Sequence, residues 1–422
     1  MEGPVCIEIV FYQPVCDTGF MTVPNQKLTL RTCCSVHVLH DGMVDMLYAL
    51  LPLLREAFGL TYAEVALVRS IHSSATAIFQ IPVGIFAEKA GVRNSLVFGT
   101  ALLGVAFLGL GFANAYAAIL ALVFLAGCGA AFHHPLSSSI ISNAFPGAGQ
   151  RAALGTYNAL GDVGKFTFLG VTILATASLG FSWQVPVHGF GVSAIIIAIS
   201  TFVFLKLANA GARSDPAAKH DIADTIKGWG IKHRRGFFTL GAITVLDSSA
   251  RYSFLTFVAF LMIEKGVATG WAASAVLATV FGGMFGKYAV GLMAEKIGVA
   301  RSIMLTEIAT AALIVAVIIV PSVYAFFLLP LVGVFLNGTS SAIYGTVPDL
   351  IEGEKHSRAY GLIYTLVSAS GFLSPLLYGL LADYYSITAT LMVVSAVVLL
   401  TVPLCGTLAT ALREAKSNPL QV

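Results

Sequence analysis

The chain repeats itself within an apolar background, and that repeat constrains its fold more than any single motif. Val38-Leu39-His40-Asp41 sits in a long hydrophobic stretch, and Thr244-Val245-Leu246-Asp247 echoes it 206 residues later, which makes the two aspartates symmetry mates. Gly84-Ile85-Phe86-Ala87-Glu88-Lys89-Ala90-Gly91 recurs as Gly291-Leu292-Met293-Ala294-Glu295-Lys296-Ile297-Gly298, and Ala153-Leu154-Gly155 recurs as Ala359-Tyr360-Gly361. Matched landmarks in one order and near-constant register mean a duplicated unit. A duplicated bundle of membrane helices makes two halves that can rock against each other, the motion that alternating access requires.

Composition decides that the unit lies in a membrane. With 57% hydrophobic and 11% charged residues and a mean hydropathy of +0.86, the chain cannot clothe a soluble domain in charge. The net charge of +3 is nearly all topology. Lys206, Arg213, Lys219, Lys227, Lys232, Arg234 and Arg235 crowd one polar stretch that also holds Asp215, Asp221 and Asp224. By the positive-inside rule this stretch is a cytoplasmic linker and not a nucleic-acid patch.

A span of ~20 apolar residues crosses the hydrocarbon core, and counting between polar breaks predicts about twelve helices. They fall near residues 29–54, 64–88, 95–113, 116–143, 153–177 and 186–208, then 237–262, 271–294, 302–320, 323–349, 359–382 and 387–411. The expected fold is an all-α integral membrane protein of two pseudo-symmetric six-helix halves, 29–208 and 237–411, joined by a linker over 209–236. Cytoplasmic tails cover 1–28 and 412–422. Expected outer loops hold only Arg55 and Lys265 as basic residues, whereas Lys89, Arg93, Arg151, Lys296, Arg301, Lys355, Arg358 and Arg413 fall inside, which puts both termini in the cytoplasm. Glu2 and Glu8 replace the basic start of a signal peptide, so Met21, rather than Met1, is read as the native start. Cys33, Cys34, Cys128 and Cys405 lie within predicted helices without CxxC spacing, so reduced structural thiols are expected and no metal cluster or cofactor.

Two six-helix halves, a central basic linker and the loop Gly84-x-x-Ala87-Glu88-Lys89-x-Gly91-x-Arg93 resemble the major facilitator superfamily over essentially the whole chain. The loop recurs at Gly291, Glu295, Lys296, Gly298 and Arg301; the family usually has Asp where this chain has Glu88 and Glu295. His40-Asp41-Gly42 and Phe132-His133-His134-Pro135-Leu136-Ser137-Ser138 look like the fosmidomycin-resistance type of drug exporter. The chain departs from that type at Leu136, where an acid is usual, and at Gly170-Val171, where a Gly-Pro kink is usual. The resemblance implies a monomer in the bacterial inner membrane, or an invagination of it, exporting a drug or metabolite against protons.

The loops also have a physical reading. Gly84 and Gly91 permit close helix approach and a tight reversal, while Glu88 can pair with Lys89 or Arg93 across helix ends and latch one conformation. Gly379-Leu380-Leu381-Ala382-Asp383 mimics the pattern at the end of helix 11, on the expected outer face, and reads as coincidence.

Intramembrane charge carries the functional argument, because each costs ~2.5–3.5 kcal/mol on insertion scales and faces protein or water. Helices 1, 2, 5, 7 and 8 hold Asp41, Asp45, Arg69, Asp162, Lys165, Asp247, Arg251 and Lys287; helices 3, 6, 9 and 12, which the resemblance implies are the lipid-facing set, hold only Glu307. His37, Asp41, Asp45 and Tyr48 form one helical stripe, as do Arg69, His72, Ser73, Thr76 and Gln80 on helix 2. Asp162 with Lys165 and Asp247 with Arg251 have spacing for local ion pairs. The acid excess of the first half and the base excess of the second point to pairing between halves as well. Asp45 and Arg251, equivalent positions 206 residues apart, are expected to form a gate where helices 1 and 7 meet. Gly155, Gly161, Gly164 and Gly170 are read as close-packing positions on helix 5.

Two carboxylates one turn apart repel when both are ionised, so Asp41 or Asp45 holds a proton unless a cation compensates. Asp41 lies near mid-span, where alternating access exposes it to either side, and His40 beside it can relay. His37, His40, His72, His133 and His134 also make a transition metal such as iron, as in magnetosome members of the superfamily, the second substrate class. A membrane enzyme is disfavoured, since neither HExxH nor GxSxG occurs. A non-transporting receptor or scaffold would ordinarily carry a soluble domain, and none is present in this sequence.

Overall fold

A computed structural model describes residues 24–145, 149–212, 231–351 and 356–417. The proposed start at Met21, most of the linker, Lys355, and the side chains of Glu88, Arg151 and Arg358 lie outside the described residues. All regular structure among the described residues is helical. The helices are α1 (Gln26–Phe58), α2 (Tyr62–Ala90), α3 (Val92–Leu110), α4 (Tyr116–Ala144), α5 (Gly149–Ile173, closing in a π turn at Leu174–Ser178) and α6 (Gln184–Leu207). They continue with α7 (Arg234–Glu264), α8 (Thr269–Ile297), α9 (Val299–Ile319), α10 (Ser322–Leu350), α11 (His356–Tyr384) and α12 (Ile387–Val398 and Thr401–Ser417).

Ten of these, α3 to α12, are long and apolar enough to cross a membrane. The protein is thus an all-α, multi-span membrane protein. α1 and α2 fall outside that class because they carry the polar stripes, which lower their mean hydropathy without shortening them. Outward-facing Val192, Ile196, Ile199 and Phe202 on α6 show what a lipid-facing helix looks like by contrast.

Every predicted segment falls on a helix, but α4 is not continuous. It breaks at Ala131–Phe132, between Tyr116–Ala130 and His133–Ala144. Pro135 explains the break: its ring collides with the carbonyl four residues back, at Ala131, and it has no N–H to donate. The second segment therefore starts afresh at His133, with Pro135 in the first turn.

The repeat is legible in the backbone. Gly91 ends α2 at φ 86, ψ 142, and Gly298 ends α8 at φ 89, ψ 149. That region is closed to side chains, so a glycine is required at both. Ser95 and Ser302 then donate their hydroxyls to the Gly91 and Gly298 carbonyls at 2.8 and 3.0 Å. The other expectation for the loop fails, since a Cβ on Gly84 or Gly291 would meet open space and neither serves a close approach.

Three apolar cores show how the halves meet. One contains residues of both halves, including Leu47, Leu51 and Leu54 of α1, Trp183 before α6, Phe257, Leu261 and Met262 of α7, and Leu391 of α12. The other two sit at the end of the bundle that carries the described chain termini and do not mix. Cys33, Ala87, Ile140, Tyr157 and Leu205 form the first-half core; Phe237, Val290, Val347, Ile363 and Leu408 form the second-half core. The bundle is sealed at the end opposite its termini and split at the other.

The seal has a polar rim. Thr61 and Glu64 cap α2 reciprocally, Thr61 accepting from the Glu64 N–H at 3.2 Å and Glu64 from the Thr61 N–H at 2.9 Å. The next two orphan donors go to the other half: the Tyr62 and Ala63 N–H groups donate to the two Asp383 oxygens at 2.7 and 2.9 Å. A Cβ on Gly379 would lie 2.9 Å from Ala63 Cα and Ala66 Cβ. The pattern read as coincidence is therefore an inter-half contact, with a glycine for the approach and an acid on a helix N-terminus. Replacing Asp383 with Asn should weaken closure by about 1 kcal/mol, roughly a fivefold population shift. An impermeant maleimide should then label Ala66→Cys faster in Asp383→Asn than in the parent; equal rates would show that the contact does not hold the seal.

Candidate functional site

The site is built where α1, α4 and α5 converge. A Cβ on Gly164 would overlap the Val38 backbone, and one on Gly161 would lie 2.5 Å from His37 Cε1 and 2.8 Å from Asp41 Oδ2. These two glycines let α5 lie against α1. Gly155 and Gly170 face open space, so the close-packing expectation holds for the inner pair alone.

That approach delivers Lys165 to α1. Its Nζ lies 3.3 Å from Asp41 Oδ2 and 3.1 Å from Asp162 Oδ1, so one ammonium serves two acids. Lys287, from α8 of the other half, reaches Asp162 at 2.7 Å. The expected local Asp162–Lys165 pair is thus present, and the pairing between halves passes through Lys287.

Imidazoles take the other Asp41 oxygen. Around Oδ1 stand His40 Nδ1 at 3.0 Å, His37 Nε2 at 3.3 Å and His134 Nε2 at 3.6 Å. The α4 break brings His134 there. His37, His40, His133 and Asp41 are buried, while the His134 side chain is 49% exposed and opens the cluster to the cleft. The rings pack on one another, His40 on His133 with centroids 4.1 Å apart and His37 on Tyr157 at 3.8 Å. Stacked rings cannot all carry charge.

One contact decides what this cluster can do. His37 Nδ1 lies 2.7 Å from the Tyr157 carbonyl, which only accepts, so Nδ1 carries the hydrogen. In a neutral ring the His37 Nε2 is then a bare lone pair turned towards a carboxylate oxygen. A proton on either atom removes that repulsion. The arrangement leaves room for a proton between the two residues.

Other expected residues are placed differently. Arg251 makes no ion pair with Asp247 or Asp45; it donates to Ser248 Oγ at 3.4 Å. The Asp45–Arg251 gate is thereby corrected, since it is missing although the end it was to close is sealed. Arg251 folds back on its own helix, and the seal is apolar with Asp383 at its rim. Asp45 has no ion pair within 4.0 Å. Arg69 donates to Ser73 Oγ at 2.9 Å. Asp247, the symmetry mate of Asp41, is buried beside Glu307 of α9, which is 1% exposed. Glu307 was the residue to notice, as the single acid on a helix otherwise read as lipid-facing. Lys89, Arg93, Glu295, Lys296 and Arg301 make no ion pair among the described residues, in keeping with the split end.

His37, Asp41 and His134 each offer one ligand atom within 4.8 Å of the others, a spacing that a metal ion can use. Lys165 competes for the same carboxylate.

The family model described as Major Facilitator Superfamily matches residues 33–341 and 267–421. An uncharacterized MFS-type transporter, YfnC of Bacillus subtilis, is 24% identical, the match covering 85% of this chain and 87% of that one. The probable sulfoacetate transporter SauU of Cupriavidus necator is 24% identical over 79% of this chain and 81% of its own. The fosmidomycin resistance protein of Escherichia coli is 28% identical, but over 25% of this chain and 26% of its own. The exporter type is therefore not established, whereas the superfamily is. A solved bacterial homologue of the human lysosomal transporter Spinster, inward-facing and unoccupied, superposes with a TM-score of 0.73 over 94% of this chain and 98% of its own at 16% identity.

Gly161→Ala should push on His37 and Asp41 and destabilise the protein by about 1–3 kcal/mol, the usual range for overpacking. Gly155→Ala and Gly170→Ala, on the same helix, should be neutral or slightly stabilising. Thermal unfolding of the purified variants in detergent separates the two classes, and equal melting temperatures would refute the packing argument.

Proposed function

The chain belongs to the Major Facilitator Superfamily, and from that premise we propose that this alternating-access transporter of small molecules couples efflux of an organic solute to protons through Asp41. In this reading α1 and α2 also cross the bilayer, completing two six-helix halves at 29–208 and 237–411 about the linker 209–236. Termini and linker are cytoplasmic, so the split end opens inward. The protein works as a monomer in the bacterial inner membrane.

The His37–Asp41 contact carries the reading, because a proton on that axis relieves the repulsion left when His37 donates to Tyr157. Its consequence reaches the other half. With Asp41 ionised, Lys165 is divided between two carboxylates, and Asp162 keeps a full interaction with Lys287. Protonated Asp41 no longer neutralises Lys165, which turns to Asp162 and competes with Lys287. The bond between α5 and α8 weakens, and the balance between the two open states moves by that difference.

A transition metal is the second reading, favoured by the His37, Asp41 and His134 donor set. Lys165 already supplies a cation 3.3 Å from that carboxylate, which is why the proton reading is preferred. Zinc or ferrous iron should not be accumulated in proteoliposomes that carry the protein.

Asp41→Asn should abolish pH-driven accumulation of sulfoacetate or fosmidomycin, the compounds in the names of two relatives, while leaving counterflow exchange partly intact. A permanently neutral side chain fits the cavity but carries no proton. Proteoliposomes with an imposed pH gradient make the measurement, and undiminished gradient-driven transport by the variant would falsify the assignment.

A further inference from the structure

Two guanidinium groups stand apart from the Asp41 network. Arg69 of α2 is 4% exposed and has Ser73 Oγ as its hydrogen-bond acceptor. Its Cζ lies 4.9 Å from the Tyr48 ring centroid and 5.6 Å from that of Tyr252. Arg251 of α7, half-buried, has Ser248 Oγ as acceptor and lies 5.2 Å from the same Tyr252 ring. Arginines from opposite halves therefore flank one tyrosine.

Neither is in an ion pair among the described residues, although Asp45 acts on Arg69 and Asp247 on Arg251 from farther off. Among the described residues no carboxylate lies within 4.0 Å of either, and the Nε of each is buried without a hydrogen-bond partner, as is the Tyr48 hydroxyl. A guanidinium has five N–H donors, and one serine oxygen leaves most of them unused. The tyrosine faces steady the flat cations through their π clouds but offer no acceptor in the guanidinium plane. What such a pair lacks is an acceptor-rich anion, and planar or tetrahedral oxyanions match the guanidinium fork.

We propose that Arg69 and Arg251 bind the oxyanion head, a carboxylate, sulfonate or phosphonate, of an organic anion that is the transported solute. This rests on the transport reading and names its substrate class. A head group shared between α2 and α7 draws the two halves together, so its binding energy acts on the conformational equilibrium. The proton site on Asp41 is separate, which lets coupling ion and solute be held at once or in turn. Cationic solutes are repelled by the same pair.

Equilibrium binding to the full-length purified protein tests this without requiring turnover. Succinate, sulfoacetate and phosphonoacetate are the probes, with tetraethylammonium as the cationic control and inorganic sulfate as the bare anion. Organic oxyanions should raise the melting temperature and show saturable calorimetric binding. Arg69→Gln and Arg251→Gln should each weaken that binding tenfold or more, and Arg251→Lys should retain part of it. Should Arg69→Gln fail to fold, the half-buried Arg251 pair of variants still decides. Equal stabilisation by tetraethylammonium, binding of inorganic sulfate as tight as that of the organic anions, no binding of any oxyanion, or affinities unchanged in the Gln variants would overturn the proposal. Oxyanion binding through the arginines with no flux in proteoliposomes would sink the transport reading alone. Flux of a neutral or cationic solute that persists in both Gln variants would sink this one alone.

Discussion

The carboxylate of Asp41 is the interaction on which the rest of the site depends. An uncompensated charge in a bilayer interior costs several kcal/mol, and a helix carrying one is tolerated only if partners reach it. Here they come from three helices, each by a separate local device. Gly161 and Gly164 remove the side chains that would hold α5 away, so Lys165 reaches one oxygen. Pro135 breaks α4 and restarts it at His133, so His134 reaches the other. His37 and His40 come from α1 itself. Removing Lys165 would leave two carboxylates with a single ammonium, so the site's charges behave as one unit and not as a set of independent pairs.

The two ends of the bundle use related chemistry for opposite purposes. At the sealed end, apolar side chains of both halves form one core, and Asp383 of α11 completes the cap on α2. At the split end each half keeps its own core, and among the described residues the basic residues of the two repeated loops make no ion pair. A contact present in one conformation and absent in the other is what biases a two-state equilibrium; contacts common to both contribute nothing to the bias. Asp383 meets that condition more directly than the expected Asp45–Arg251 pair, because it joins elements that must separate for the sealed end to open.

What the sequence reveals and what it hides follow from how far each signal reaches along the chain. Hydropathy and internal repetition are sums over many residues, so helix positions and the duplication are readable, down to Gly91 and Gly298 with nearly the same backbone angles. Helical periodicity relates residues on one helix, and it correctly grouped His37 with Asp41 and Asp162 with Lys165. It is silent on which helix lies opposite. Lys165 with Asp41, Glu307 with Asp247, and Asp383 with the α2 N-terminus are therefore tertiary facts. Arg251 shows the reverse failure, since the spacing allows Asp247 and the repeat allows Asp45, yet its hydrogen bond goes to Ser248.

Leaving Arg69 and Arg251 without acids is costly, and the cost has a bearing on how such a site works. A guanidinium already paired with a carboxylate would have to break that pair before binding an anion, and the net gain would be small. Held instead against tyrosine faces, it is oriented and partly desolvated before the ligand arrives, so little is lost when the bond forms. The Asp41 network shows the alternative, in which Lys165 and Lys287 each have a carboxylate. One interior thus holds two kinds of positive charge. Lys165 and Lys287 are ion-paired within the chain, whereas among the described residues neither Arg69 nor Arg251 has a carboxylate within 4.0 Å.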